Sequence, residues 1–308
     1  MKLKVLVISL VCVFAVALGG ATICATMSRQ EIRDYIQQTQ TNYEDSKSAS
    51  LEGINAIEIH SSSEQLSIIQ TPNVDQIQAD IGIETYGFHL PVPQYQLRME
   101  THNSTLKIYV DRQGGEFILY GGTQSTMKIY LPQSYTGDLD LDADSGSILL
   151  DSLTGLRTIK LDLDSCSLEN RGNLSAQNIE MDLDSLSANL TDVSGSIKVD
   201  LDSSEFNLSM AQVNGDILLR GDSCDTTLTI PQDTSAQADL RCEYGDLSSD
   251  FSLNPTMDPY EEVRVLYGVI GQGEHTIRCQ MDYGSLALKQ SGIPSAPPTS
   301  EDSTSPSV

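Results

Sequence analysis

Five segments decide the fold. Leu139–Leu150 reads LDLDADSGSILL, Ile159–Asn170 reads IKLDLDSCSLEN, and Ile179–Leu190 reads IEMDLDSLSANL. Ile197–Leu208 reads IKVDLDSSEFNL and Ile217–Leu228 reads ILLRGDSCDTTL. Weaker copies follow as LRCEYGDL, VRVLYGVI and CQMDYGSL. Aligned on the polar residue before the Ser or Tyr, the copies place Asp144, Asp164, Asp184, Asp202, Asp222, Glu243, Leu266 and Asp282 in one column. The spacings are 20, 20, 18, 20, 21, 23 and 16 residues. Self-similarity at a near-constant period marks a repeat architecture.

Within IKLDLDS the period is two. Ile159, Leu161 and Leu163 face one way, while Lys160, Asp162 and Asp164 face the other. A unit of about 20 residues cannot bury its own apolar face, whereas stacked units can. The sequence therefore predicts an all-β protein, a β-solenoid of about eight coils over 136–290. Strands of successive coils would pair at about 4.8 Å. Evenly spaced hairpins in an antiparallel sandwich are the alternative, but identical positions at one period favour the solenoid. Residues 51–135 also alternate, as in Leu106, Ile108 and Val110, and read as a β-rich region of about six strands.

Lys2 and Lys4 precede 23 uncharged residues, Val5–Met27. About 20 such residues span a bilayer, and the leading lysines favour an N-terminus inside. Residues 1–27 thus read as a membrane anchor, with a cleaved signal segment ending near Ala17-Leu18-Gly19 and a lipoprotein with Cys24 as acceptor as the alternatives. The expected location is the cell membrane, single-pass, with the main body extracytoplasmic. Residues 28–50 read as a juxtamembrane spacer. Its start looks helical, because Ser28 and Glu31 fit a capping box and Ile32, Ile36 and Tyr43 share a helical face. Residues 291–308 are Ser, Thr and Pro with two acids and read as a disordered tail.

The chain of 308 residues carries 43 Asp+Glu against 18 Lys+Arg, a net charge of −25. That balance argues against nucleic acid as a partner, because phosphates require a basic footprint. The membrane, through the N-terminal helix, and an envelope protein or surface ligand are the expected partners. Oligomeric state is not legible.

Asp142, Asp162, Asp182 and Asp200 form one acidic column, and Asp144, Asp164, Asp184, Asp202 and Asp222 a second. Neighbours about 5 Å apart repel by about 0.8 kcal/mol in water. Two readings follow. The acids are a solvated face, relieved by Lys160, Lys198 and the repeated Ser hydroxyls. Otherwise they form a calcium ladder, since calcium takes several carboxylate oxygens. No EF-hand loop or Gly-Gly-x-Gly-x-Asp repeat is present.

Cys166 and Cys224 occupy the same coil position three coils apart, beyond disulfide reach. Cys242 falls at an inward position. Free, mostly buried thiols are expected, with Cys242–Cys279 the one pairing considered. His60, His89, His102 and His275 are scattered. No nucleophile elbow, P-loop or dinucleotide fingerprint appears. The repeated acids are equivalent from coil to coil, unlike the unequal pair that glycoside chemistry requires. No catalytic residue or cofactor is assigned, and the expectation is a protein that is not an enzyme.

The order of motifs resembles a known family. Gly53-Ile54-Asn55-Ala56-Ile57-Glu58-Ile59 is followed by strands ending in Met127-Lys128-Ile129-Tyr130-Leu131-Pro132. Then come the corners Ser145-Gly146-Ser147-Ile148 and Gly215-Asp216-Ile217, closing on Tyr244-Gly245-Asp246-Leu247. This is similar, over about 51–290, to the bacterial cell-envelope β-strand-repeat "putative adhesin" family of unknown function. The resemblance implies a membrane-anchored envelope protein with a β-solenoid outside. It implies a role in adhesion or interaction, or alternatively as a sensor or regulator of envelope stress acting through a membrane partner. The family offers no catalytic residues to carry over. The regular Asp-x-Asp-Ser repeats depart from its usual pattern.

Overall fold

The computed structural model describes residues 41–90, 93–114, 117–257 and 263–292. The apolar run 5–27, the start of the spacer and the tail from 293 lie outside the described residues. Among the described residues every regular element is a strand, so no helix is long and apolar enough to cross a membrane.

The entry region holds β1 (Thr41–Ala49), β2 (Ala56–Ser61), β3 (Gln65–Thr71), β4 (Ile77–Leu90), β5 (Gln94–His102), β6 (Thr105–Gln113) and β7 (Phe117–Pro132). The middle holds β8 (Asp138–Ala143), β9 (Gly146–Asp151), β10 (Leu156–Asp164), β11 (Cys166–Arg171), β12 (Leu174–Asp184), β13 (Ser187–Asp202), β14 (Glu205–Met210), β15 (Ile217–Asp222) and β16 (Cys224–Ile230). The exit holds β17 (Ala236–Ser249), β18 (Asn254–Met257), β19 (Arg264–Ile270) and β20 (His275–Gln290).

These strands form two parallel ladders that face each other across one core. The first runs β6, β2, β8, β10, β12, the second half of β13, β15, and the first halves of β20 and β17. The second runs β7, β3, β9, β11, the first half of β13, β14, β16, and the second halves of β20 and β17. Nine layers result among the described residues, about 38 Å from first to last at about 4.8 Å each. The predicted facing holds, with Ile159, Leu161 and Leu163 buried and Asp162 and Asp164 exposed.

The order of layers corrects the sequence reading. A simple solenoid stacks coils in chain order. Here β6/β7 lies outside β2/β3, and the chain then returns to place β8/β9 on the other side. At the exit, β20 sits between the β15/β16 layer and β17. Thus Asp282 belongs to the layer before Glu243. Leu266 lies on β19, which pairs antiparallel with β17 and is not a coil. The physical reason is the ends. A bare terminal coil presents unpaired backbone groups, and the detours let antiparallel strands cover them. β4 pairs antiparallel with β7, β1 with β4, and β5 with β6 at one end. At the other end β19 covers β17, and β18 covers β19.

Residues 41–49, placed by the sequence in a spacer with a helical start, form β1. Tyr43 is therefore a strand residue, and the folded body begins before Leu51. The boundary drawn at 135/136 is spanned by continuous pairing, because β2 pairs with both β6 and β8. The return from β7 to β8 is tight. The Tyr135 hydroxyl donates to the Asp138 carbonyl at 2.8 Å, and burial raises its pKa well above the usual range. A Cβ at Gly137 would collide with the Asn55 carbonyl oxygen and the Tyr135 ring. Arg157 donates two hydrogen bonds, of 2.7 and 2.6 Å, to the Asp138 carboxylate, which holds that carboxyl below its usual range.

Candidate functional site

The Asp-Ser repeat is where the chain turns from one ladder to the other. Ser165, Ser185, Ser203 and Ser223 take φ of 53°, 55°, 49° and 58°. A left-handed residue other than Gly, Asn or Asp is uncommon, so each needs local support. The Ser165 and Ser185 hydroxyls donate to the Oδ1 of Asp164 and Asp184 at 2.7 Å. Ser203 does the same to Asp202 at 2.9 Å, and Ser223 to Asp222 at 3.2 Å. The backbone N–H of Ser165, Ser185 and Ser203 donates to the Asp carbonyl of the next layer at 2.9–3.0 Å. Behind the corner, the side chains of Cys166, Ser204 and Cys224 donate to the carbonyls of Asp164, Asp202 and Asp222. Asp and Ser at this spacing are corner chemistry, a role that the sequence reading did not give them.

This geometry sets opposite expectations for two substitutions. Ser185→Gly removes the left-handed strain and loses one exposed hydrogen bond, so stability should change by less than about 1 kcal/mol. Ser185→Val places a β-branched residue at positive φ and should cost about 2 kcal/mol. Paired thermal melts check both, and an equal loss in the two variants would sink this account.

The structure brings the first predicted acidic column together. Asp142, Asp162, Asp182 and Asp200 stand in direct register. His60 closes one end, with Nδ1 3.0 Å from Asp142 Oδ2. Arg220 stands opposite Asp200 at the other end. Asp164, Asp184 and Asp202 of the second column are likewise in register, and Asp222 extends them. Asp144 is held differently, donating its N–H to the Ser61 carbonyl at 3.2 Å. The neighbouring outward column mixes signs: Glu58 stands beside Asp140, and Lys160, Glu180 and Lys198 then alternate. Lys160 Nζ lies 3.8 Å from Asp140, and Lys198 Nζ 3.3 Å from Asp200. Burial raises the Asp140 pKa, with the Lys160 charge acting the other way. Among the described residues no group of three or more His, Cys, Asp or Glu is arranged to hold a metal ion.

A cleft of about 520 Å³ opens at the head of the first column, where β6 leaves β2 after Ile108. His60, Glu100, Lys107, Tyr109 and Asp142 line it. Its mixed charges select no single ligand class.

Cys166, Cys224, Cys242 and Cys279 are all free and buried, as the sequence predicted. Cys242 pairs in register with Met281, and Cys279 with Leu240. Burial raises all four thiols, Cys166 to about 11 and Cys279 to about 12. Thiolate, the reactive form, is therefore scarce at neutral pH. Iodoacetamide at pH 8 should leave these four unmodified in the native protein and alkylate all of them in guanidinium, as read by mass spectrometry. Rapid native labelling at Cys279 would contradict the buried placement.

With the two-ladder fold in view, comparison with known families is decisive. The family model described as Toastrack DUF4097 matches residues 54–180 and again 156–289. The chain belongs to the Toastrack DUF4097 family. The two overlapping matches fall on the repeating layers of the Toastrack body. Comparison with curated proteins gives no match. Among solved structures, a putative cell adhesion protein from Clostridium sporogenes has a TM-score of 0.39 at 11% identity. That match covers 81% of this chain and 100% of the other. A putative adhesin from Bacteroides fragilis has a TM-score of 0.31 at 10% identity, covering 80% of this chain and 97% of the other. A putative lipid binding protein from Parabacteroides distasonis has a TM-score of 0.21 at 14% identity, covering 82% and 95%.

Proposed function

We propose that this Toastrack chain is a membrane-anchored, extracytoplasmic interaction module of the bacterial cell envelope, non-enzymatic and acting in adhesion. The observation that carries this reading is the uninterrupted stack of nine layers. It holds outward side chains in straight columns at fixed spacing, the kind of extended surface that solenoids use for binding. The apolar run 5–27 lacks any Asp, Glu, Lys or Arg, which supports the anchor.

The test uses the full chain in bacterial membranes. Protease added from outside should reach the β body, and cells displaying the chain should attach to envelope material or surfaces more than cells lacking it. Specific co-purification with a membrane kinase, without attachment, would replace adhesion by the stress-sensing role. Calcium is tested on the same material. Exposed acids with Ser and Lys partners predict that millimolar calcium against chelator shifts Tm by less than about 2 °C, the scale of surface screening. A rise of about 10 °C would make the Asp columns a cation site.

A further inference from the structure

We propose that the outward face of the first ladder pairs with the same face of a second copy of this chain, anchored in an opposing membrane. This deepens the adhesion reading and rests on it, since attachment would then run from like chain to like chain.

One straight column on this face changes sign along its length. Asp142, Asp162, Asp182 and Asp200 stand in register, and Arg220, Gln280 and Arg241 continue the line. Arg220 has no ion-pair partner among the described residues. The column beside it reads Asp140, Lys160, Glu180 and Lys198, then Leu218, Arg278 and Asp239. A third column, with Thr158, Asn178 and Ser196 in the middle and Thr276 and Gln237 at the exit, is uncharged. Beyond Gln237, Asp239 and Arg241 comes β19, whose outward residues in register are Val269, Tyr267 and Val265. Tyr267 is 50% exposed and Val269 63%. The face is thus acidic in its middle, and cationic then apolar towards the exit.

Such a face is complementary to itself when two stacks run in opposite directions. A two-fold axis along the strands, set between the Asp200 and Arg220 layers, reverses the layer order and leaves each column facing its own copy. Asp200 then meets the partner's Arg220, and Asp162 the partner's Arg241. In the next column Glu180 meets the partner's Arg278, and Lys160 the partner's Asp239. The apolar end lands on the layer of Asp138, Asp140 and Asp142. These acids are already held by Arg157 at 2.6 Å, Lys160 at 3.8 Å and His60 at 3.0 Å. The long Arg and Lys stems offer apolar surface to Tyr267 and Val269. Stacks running in the same direction would set the acids on acids.

Eight layers about 4.8 Å apart and three outward columns about 7 Å apart give about 800 Å² per copy, the size of a standard specific interface. The net charge of −25 opposes approach, but physiological salt screens it beyond about 8 Å, whereas the matched columns act at contact. The opposed direction also decides the setting. Only residues 28–40 separate the apolar run from β1 at the entry end. Opposed stacks carry their entry ends, and with them their anchors, to opposite sides, as two facing membranes require.

The test uses the full chain in lipid nanodiscs, one chain per disc, with sedimentation velocity at micromolar concentration reading paired discs. Wild-type discs should pair. Arg220→Glu and Asp200→Arg should each weaken pairing by at least about 10-fold, because the two-fold axis repeats every like-charge contact. Mixing the two variants should restore pairing, since each then supplies the charge that the other needs. A merely misfolded variant could not be rescued in this way. The proposal is overturned if wild-type discs stay single, if both variants pair normally, or if the mixture pairs no better than either variant alone. Cells displaying the chain separate this from adhesion itself. Equal attachment to envelope material by wild type and Arg220→Glu removes self-pairing and leaves adhesion standing. Discs that pair while cells attach to nothing do the reverse.

Discussion

Gly284→Ala should lower the melting temperature by at least about 10 °C, the largest effect expected from one added methyl group. Gly284 has φ of 109°, a conformation that is essentially closed to residues with a Cβ. Its Cβ would also fall on the carbonyl oxygen of Cys224 in the neighbouring layer. Gly245, one layer further out, would meet the Gly284 carbonyl in the same way. The corner at Tyr283-Gly284 replaces the Ser-based corner by a glycine one, and Gly146 does the same with φ of 117°. Strain of about 1–3 kcal/mol adds to an interlayer clash, giving about 4 kcal/mol. At about 2–4 °C per kcal/mol for a body of this size, the shift follows. Because contacts run only between neighbouring layers, the loss should be local. Hydrogen exchange should quicken first in β17, β19 and β20, with β10 to β12 little changed. Uniform quickening, or a melt like the wild type's, would refute the corner account.

Phe206→Ala should cost about 3–5 kcal/mol, or about 10 °C. Phe206 is completely buried on β14. Its neighbours in register are small, Ala188 on one side and Thr226 on the other. The ring therefore fills space that its two small neighbours in register leave open. Here the weak point is mid-stack, so exchange should quicken on both sides of β14. Phe206→Leu keeps most of the volume and should recover more than half of the loss. A Phe206→Ala melt within about 2 °C of the wild type's would mean that the layers repack freely.

The repeat, the inward alternation and the free thiols were all readable in the sequence, because each depends on neighbours along the strand. The layer order was not. Every coil presents the same alphabet of Leu, Ile, Val and Met inward, so nothing in CQMDYGSL says that it stacks against ILLRGDSC. VRVLYGVI matched the repeat because alternation reports which face a residue takes, not strand direction. β1 was missed for a different reason. Its segment TNYEDSKSA is polar on both faces, and it is a strand because β4 offers an edge to pair with. The Asp columns were found, but their local use at the corner was not, since a left-handed Ser leaves no sequence signal of its own.

The placement of β20 has a consequence for synthesis. Layers in the middle join residues about 20 apart, as in Leu161 with Met181, whereas Cys224 meets Gly284 across 60 residues. Until β20 has left the ribosome, the β15/β16 layer has an open edge, and β17 has no parallel neighbour to rest on. A chain stopped short of Gln290 therefore shows quality-control proteases two raw edges in place of a covered end. The last strand acts as a keystone, and only a fully translated body closes.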